Sequence, residues 1–164
     1  MSLLERQAVK RVIAALHAGN AVEDVRELAE TARTAADAAK ALGVEQGAIV
    51  KSLVFTVGDR FVLALVAGDR ICKTDQLPRA FFLKGRVGKP DAELVRAVTG
   101  FTIGGVSPVG LPQPLPTVID ASLKRFEAVY AAAGHPHCVF PTTVDELKRL
   151  TGGLVSYAVA AEAK

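Results

Sequence analysis

Two runs of β-branched, aliphatic and aromatic residues, Ile49 to Val57 and Phe61 to Ala67, are separated by little more than Gly58-Asp59, and a second Gly-Asp pair, Gly68-Asp69, follows the second run. Such residues fit the pleated, half-buried surface of a sheet, and glycine beside aspartate punctuates strands. Two antiparallel neighbouring strands are the simplest account, and the rest of the chain must be arranged around them.

Ahead of this pair the pattern is helical. Ser2 followed by Glu5 has capping-box spacing, and Val9, Val12, Ile13 and Leu16 then repeat at helical intervals until Gly19. Thr34 followed by Asp37 opens an alanine-rich helix to Leu42, with Gly43 placed for a left-handed cap. Beyond the pair, a helix from Asp91 to Val98 follows Pro90 and stops at Gly100. Phe101 to Pro116 then holds Gly104, Gly105, Gly110 and four prolines, which excludes regular structure yet limits floppiness. Thr117 to Ile119, Ala128 to Ala132 and Cys138 to Phe140 read as short strands. Thr143 with Glu146 caps a helix ending near Gly152, and Leu154 to Val159 reads as a last strand. Strands and helices alternate without a regular βαβ repeat, so the expected class is α+β with a mixed sheet.

At 164 residues, half of them hydrophobic, the chain can bury one core without disulfide staples. It shows no internal repeat or dividing linker, so a single domain over residues 1–164 is expected. Twenty Lys and Arg against seventeen Asp and Glu leave a formal charge of +3, which tolerates a polyanion without requiring one. Cys72 and Cys138 lack CxxC spacing and have too few neighbouring histidines for a zinc set, so they read as reduced thiols of a cytosolic protein. The start of the chain enters an amphipathic pattern directly, and no run approaches the roughly 20 apolar residues of a membrane-spanning helix. A cytoplasmic protein with no membrane partner and no metal is expected, and a monomer, since nothing calls for an obligate assembly.

Several residues could carry chemistry. Period two puts Lys51 on the face of its strand shared by Ile49, Leu53 and Phe55. It either snorkels to solvent from a strand end or projects into a cleft, where it would hold an anion such as a phosphate. Gly104-Gly105-Val106-Ser107-Pro108-Val109-Gly110 could expose backbone N–H groups as a cradle for a carbonyl oxygen or oxyanion. Ser107 invites comparison with a nucleophile elbow, but GVSPVG is not GxSxG, and proline-rich sequence follows where a helix should begin. Neither GxGxxG nor GxxxxGK[ST] occurs, which disfavours the standard phosphate loops. His135 and His137 flank Pro136 just after Gly134, as an ordinary surface turn or as residues facing a cleft. Arg79, Lys84, Arg86 and Lys89 lie in a stretch without an acidic residue, either a solvated basic face or a rest for the phosphates of an RNA stem.

In order, the segments Ile49-Val50-Lys51-Ser52-Leu53-Val54-Phe55, Leu63 to Arg70, Thr99-Gly100-Phe101, Gly104 to Gly110, Leu115 to Asp120 and Leu150-Thr151-Gly152 resemble the YbaK/ProX family of aminoacyl-tRNA deacylases. The resemblance runs from about Thr34 to Val159. It implies a free-standing relative of the editing domain inserted in bacterial prolyl-tRNA synthetases, without a cofactor, acting on the acceptor end of aminoacyl-tRNA, with prolyl-tRNA synthetase as a candidate partner. By position it makes Lys51 the family's strand lysine and Gly104 with Pro108 its GxxxP loop, and it sets Gly105 and Ser107 within that loop. It places Ser52, Val106, Gly110, Gly134 and His137 around the substrate. Leu111-Pro112-Gln113-Pro114 stands where some subgroups carry a histidine, which leaves the amino acid removed open.

The chemistry then expected has Lys51 on the terminal adenosine's phosphate, backbone N–H groups of Gly104 to Pro108 on the aminoacyl carbonyl, and water attacking the ester. A ribose hydroxyl of the tRNA would assist in place of a side-chain base, as the resemblance implies. A module that binds without hydrolysing, and a serine hydrolase centred on Ser107, are the competing classes.

Overall fold

The computed structural model describes residues 2–29 and 32–163. In chain order the elements are α1 (Gln7–Ala18), β1 (Arg26–Glu27), α2 (Ala35–Leu42), β2 (Val50–Val57), β3 (Arg60–Ala67), β4 (Arg70–Cys72), α3 (Leu77–Phe81), β5 (Val87–Gly88), α4 (Ala92–Thr99), β6 (Thr117–Asp120), β7 (Val129–His135), β8 (Cys138–Thr142), α5 (Val144–Thr151), β9 (Leu154–Ser156) and β10 (Ala160–Glu162). The arrangement is α+β, as expected. Its largest sheet has the order β5-β2-β3-β6-β9. β2 is antiparallel to both neighbours, whereas β3, β6 and β9 are mutually parallel. β1, β8 and β7 form an antiparallel sheet of their own, and β4 pairs with β10.

The β2–β3 hairpin turns through Gly58-Asp59, with Val57 opposite Arg60 and the positive φ, 62°, falling on Gly58. Its register separates two cores. Val50 and Val54 with Leu63, Leu65 and Ala67 join a cluster containing α1, β7, Phe101 and Phe140. Phe55 and Val57 with Val62, Ala64 and Val66 join another, closed by Leu77 and Val159. The sheet is thus buried on both faces, which explains why β3 reads as an unbroken apolar run rather than an alternating one.

Caps end the helices as the sequence indicates. Thr34 and Asp37 complete a reciprocal capping box, and Gly43 takes φ 71°. Thr143 accepts the Glu146 N–H, and Gly152 takes φ 68°. Asp91 caps α4 by accepting the Leu94 N–H at 2.9 Å.

Two expectations need correction. The Ser2 hydroxyl accepts the Leu4 N–H and donates to Glu27 Oε1, so it caps a 3-10 turn over Leu3–Glu5; Arg6 is then extended, and α1 begins at Gln7. The last strand is two strands. Ser156 Oγ accepts the Ala158 N–H at 3.1 Å, turning the chain out of the large sheet. Buried Val159 then accepts the Lys73 N–H at 2.7 Å and leads into β10 beside β4.

Candidate active site

The loop after α4 is held at both ends by one helix. Gly100 reverses the chain at φ 77°, and Thr99 Oγ1 donates to Val95 O at 2.7 Å and accepts the Phe101 N–H at 3.0 Å. Phe101 enters the core at 1% exposure, with the Arg11 guanidinium 5.0 Å above its ring and also donating to Gly100 O at 2.8 Å. At the far end Gly110, φ 82°, lies so close to α1 that a Cβ there would be 3.2 Å from Arg11 O. Between these clamps Val106 and Val109 are buried in the first core.

The middle of the loop rests on the β7–β8 turn. A Cβ on Gly105 would lie 2.9 to 3.0 Å from backbone atoms of His135, contacts that only glycine allows at this spacing, and a Cβ on Gly104, φ 91°, would meet Pro136. The register of β7 against β8 shifts between Ala132 and His135, a bulge that carries Gly134 at φ 94° against Ala8 O of α1. The His135 and His137 rings stand edge to face at 5.3 Å, and the His137 N–H donates to His135 Nδ1 at 3.1 Å. Partial burial first, then Arg6 and His137, hold the His135 imidazole below its ordinary pKa. The GxxxP loop, Gly134 and both histidines therefore form one constellation.

Within it the backbone donors are unequally used. The Gly105 N–H donates to Thr102 O at 2.9 Å, and the Val109 N–H to Ser107 Oγ at 3.1 Å. Val106 and Ser107 are buried, and among the described residues neither of their N–H groups meets an acceptor. Buried orphan donors of this kind are rare in folded proteins. Ser107 itself is fully enclosed, its hydroxyl folded back to hold the loop. That geometry suits a structural serine, with Oγ committed to the Val109 N–H. Behind Pro108, a cleft of about 180 Å³ opens between Val109, Leu115, Ala15 and Leu150.

Lys51 is placed differently. It pairs with Val66 in β3 and so lies on the face of the second core, opposite the loop. The half-buried side chain donates from Nζ to Arg70 O at 2.5 Å, and among the described residues no carboxylate pairs with it. It neither runs freely into solvent nor joins the loop on one face.

What connects the two faces is the edge of β2. Because the Gly68 N–H donates to Ile49 O, the odd positions of β2 exchange bonds with β3, and the even positions turn theirs to the other flank. On that flank β5 pairs only with Thr56 and Val57, and Tyr130 bridges only Ile49. The backbone polar groups of Ser52 and Val54 thus face β7 along an unpaired stretch of edge. Ser52 Oγ is buried there without a partner among the described residues. This open edge has no signature in the sequence, since it depends on how early β7 diverges from β2. Arg11 was equally hidden, because nothing in a helical cation reveals that it spans a loop 89 residues away.

Neither cysteine has the chemistry of a nucleophile. Burial pushes the thiols of Cys72 and Cys138 up to about 11, which keeps both protonated at neutral pH. Among the described residues, no group of three or more His, Cys, Asp or Glu is placed to share a metal ion, and no helix is long and apolar enough to cross a membrane.

The class the fold defines is an α+β domain with a glycine-shaped loop against one face of its largest sheet and an unpaired stretch of edge on that sheet's β2 strand. The aminoacyl-tRNA editing domain profile matches residues 29–150, and the chain belongs to that family. A crystal structure of a candidate trans-editing enzyme for prolyl tRNA synthetase superposes with a TM-score of 0.88 and 38% identity, covering 96% of this chain and 99% of that one. YwhH of Bacillus subtilis is 35% identical over 133 residues, 80% of this chain and 83% of its own length. EbsC of Enterococcus faecalis, named as a candidate Cys-tRNA(Pro)/Cys-tRNA(Cys) deacylase, is 30% identical over 117 residues, 70% of each protein.

Proposed function

We propose that this chain acts in trans as a deacylase, hydrolysing the ester that joins a small non-cognate amino acid to tRNA, with tRNA-Pro as the expected carrier. The observation that carries this reading is the pair of buried, unpartnered N–H groups at Val106 and Ser107 in a loop shaped by Gly104, Gly105 and Gly110. Water adds to the aminoacyl carbonyl carbon, and the charge that develops on oxygen is received by these fixed donors. The ester C–O bond then breaks, the ribose oxygen takes a proton, and free amino acid and uncharged tRNA leave. Aminoacyl esters are labile, so positioning and oxyanion stabilisation suffice, and an adjacent ribose hydroxyl takes the part of a base. Neither the Ser107 hydroxyl nor a cysteine thiol enters the reaction.

The terminal adenosine straddles the open flank of β2. Its aminoacyl group lies toward the cradle, Gly134 and His137, the backbone and hydroxyl of Ser52 meet it at the edge, and its phosphate reaches the uncompensated ammonium of Lys51 around the strand. The modest cleft beside Pro108 and Gly110 suits a small side chain. A second sieve of this kind is needed because one methylene discriminates by only about 10- to 200-fold, and the synthetase served would be prolyl-tRNA synthetase.

The test is a panel of tRNAs mischarged with small amino acids, followed for ester loss. Acceleration on at least one member is expected, and protection of every ester instead would make the chain a binding module. Lys51→Ala is expected to lower kcat/KM about 10- to 100-fold, the value of a hydrogen bond to a charged group, while the protein stays folded. Unchanged turnover would remove Lys51 from the phosphate.

A further inference from the structure

The segment between α3 and β5 presents an aromatic ring that the fold leaves unburied. Phe82 is 86% exposed and sits at φ 56°, in the left-handed region where glycine ordinarily ends a helix. Its N–H donates to Arg79 O at 3.2 Å and that of Leu83 to Pro78 O at 2.9 Å, so the reversal ending α3 is fully made and turns the ring outward. A bulky residue in a disfavoured conformation, with no burial in return, points to a ligand.

Its surroundings say which kind. Arg79, Lys84, Arg86 and Lys89 are all exposed, no acidic residue lies between the first and the last of them, and among the described residues none forms an ion pair. The segment is also fixed in place. The Gly58 N–H donates to Arg86 O at 2.9 Å, and Gly85 packs so tightly that a Cβ would lie 2.6 Å from Gly58 Cα. An exposed aromatic on an anchored segment, among unpaired cations, is the equipment for an unpaired nucleobase and its flanking phosphates, since every base offers a π-face.

Position agrees with chemistry. β5 occupies the same flank of β2 that lies open at Ser52 and Val54. At about 3.3 Å per residue the paired stretch starts roughly 7 Å beyond Val54, so a strand leaving the cradle along this edge meets the basic segment next.

We propose that Phe82 stacks on an unpaired base near the 3′ end of the substrate RNA while Arg79, Lys84, Arg86 and Lys89 hold its backbone phosphates. This rests on the tRNA reading given above and adds the surface that receives the acceptor end outside the cradle.

The test compares two RNAs: an acceptor-stem minihelix with its single-stranded 3′ end, and the same duplex cut blunt. Phe82→Ala and Phe82→Gly are expected to weaken binding of the tailed RNA about 5- to 100-fold, the value of one base–aromatic stack, and to leave the blunt RNA unaffected. Phe82→Gly relieves the backbone, so its melting temperature should equal or exceed that of the wild type, which separates lost stacking from lost fold. Lys84→Ala and Arg86→Ala should weaken both RNAs and each flatten the log–log salt dependence by roughly 0.7 to 0.9. Wild-type affinity for the tailed RNA in both Phe82 variants, the result expected if the patch faces a protein, overturns the assignment, as does an equal loss on the blunt RNA, which would place the ring against the duplex. A wild type that binds the tailed RNA through Phe82 yet hydrolyses no mischarged tRNA leaves this surface standing and overturns the deacylase.

Discussion

His135 brings its imidazole to a half-buried place beside Arg6 and His137, and all three circumstances disfavour the protonated ring, with only Glu27 acting the other way. The folded-state pKa is therefore depressed below the 6.5 of the free side chain. In that case the unfolded chain takes up the proton first as pH falls, so the contribution to stability is complete above pH 6.5 and is lost as pH drops through the folded value. Melting temperature should thus decline from pH 7 to pH 5.5 more steeply in the wild type than in His135→Asn. The asparagine carbonyl can still accept the His137 N–H that now reaches Nδ1, so the comparison isolates the charge. Parallel declines would show that His135 does not set this slope. At this scale the sequence was informative about identity and poor about direction. The periodicity of β2 put Lys51 on the correct face with Leu53 and Phe55, but no pattern in β2 could disclose that Arg70 O would receive its ammonium, since that carbonyl comes from a strand beyond the next turn.

At the scale of elements, the GxxxP loop behaves as a built structure with Ser107 as one of its fasteners. Ser107→Ala removes the acceptor of a buried N–H, that of Val109, which costs about 1 to 3 kcal/mol. For a chain of this length that is a fall of roughly 2 to 12 °C in melting temperature. Deacylation measured well below the transition should persist, whereas complete loss of activity in a variant that is still folded would make Ser107 the nucleophile. Elements with local signals were legible: the capping box of α2, the Thr143 cap of α5, the Gly58-Asp59 hairpin and the glycine stops at Gly43, Gly100 and Gly152 all appear where the residues put them. Those without such signals were not. β1, β4, β5 and β10 are two or three residues long and exist only because a partner strand happens to pass, and α3 is a single reversal of chain hidden in a basic stretch. The split of the last strand at Ser156 depends on a hydroxyl choosing a local N–H over the sheet, a competition that strand propensity does not register.

For the molecule as a whole, the two cores on either side of the large sheet have different duties. Phe101, in the first, anchors the loop that carries the cradle; Phe55, in the second, lies beneath the covering formed by Leu77 and Val159. Both are buried, at 1% and 6% exposure, so removal of either ring should cost about 3 to 5 kcal/mol and lower the melting temperature by roughly 6 to 20 °C. Stability alone therefore does not separate Phe101→Ala from Phe55→Ala. Activity should. Losing Phe101 frees the end of the loop that Arg11 and Thr99 clamp, so the Val106 and Ser107 donors lose their fixed aim, and preorganised donors are valuable because they need no reorganisation during reaction. At a temperature where both variants are folded, kcat should fall up to about 100-fold in Phe101→Ala, the cost of a displacement of about 1 Å caused away from the chemistry, and stay close to wild type in Phe55→Ala. Equal losses would mean that the cradle depends on the sheet as one rigid body rather than on the face that carries the loop.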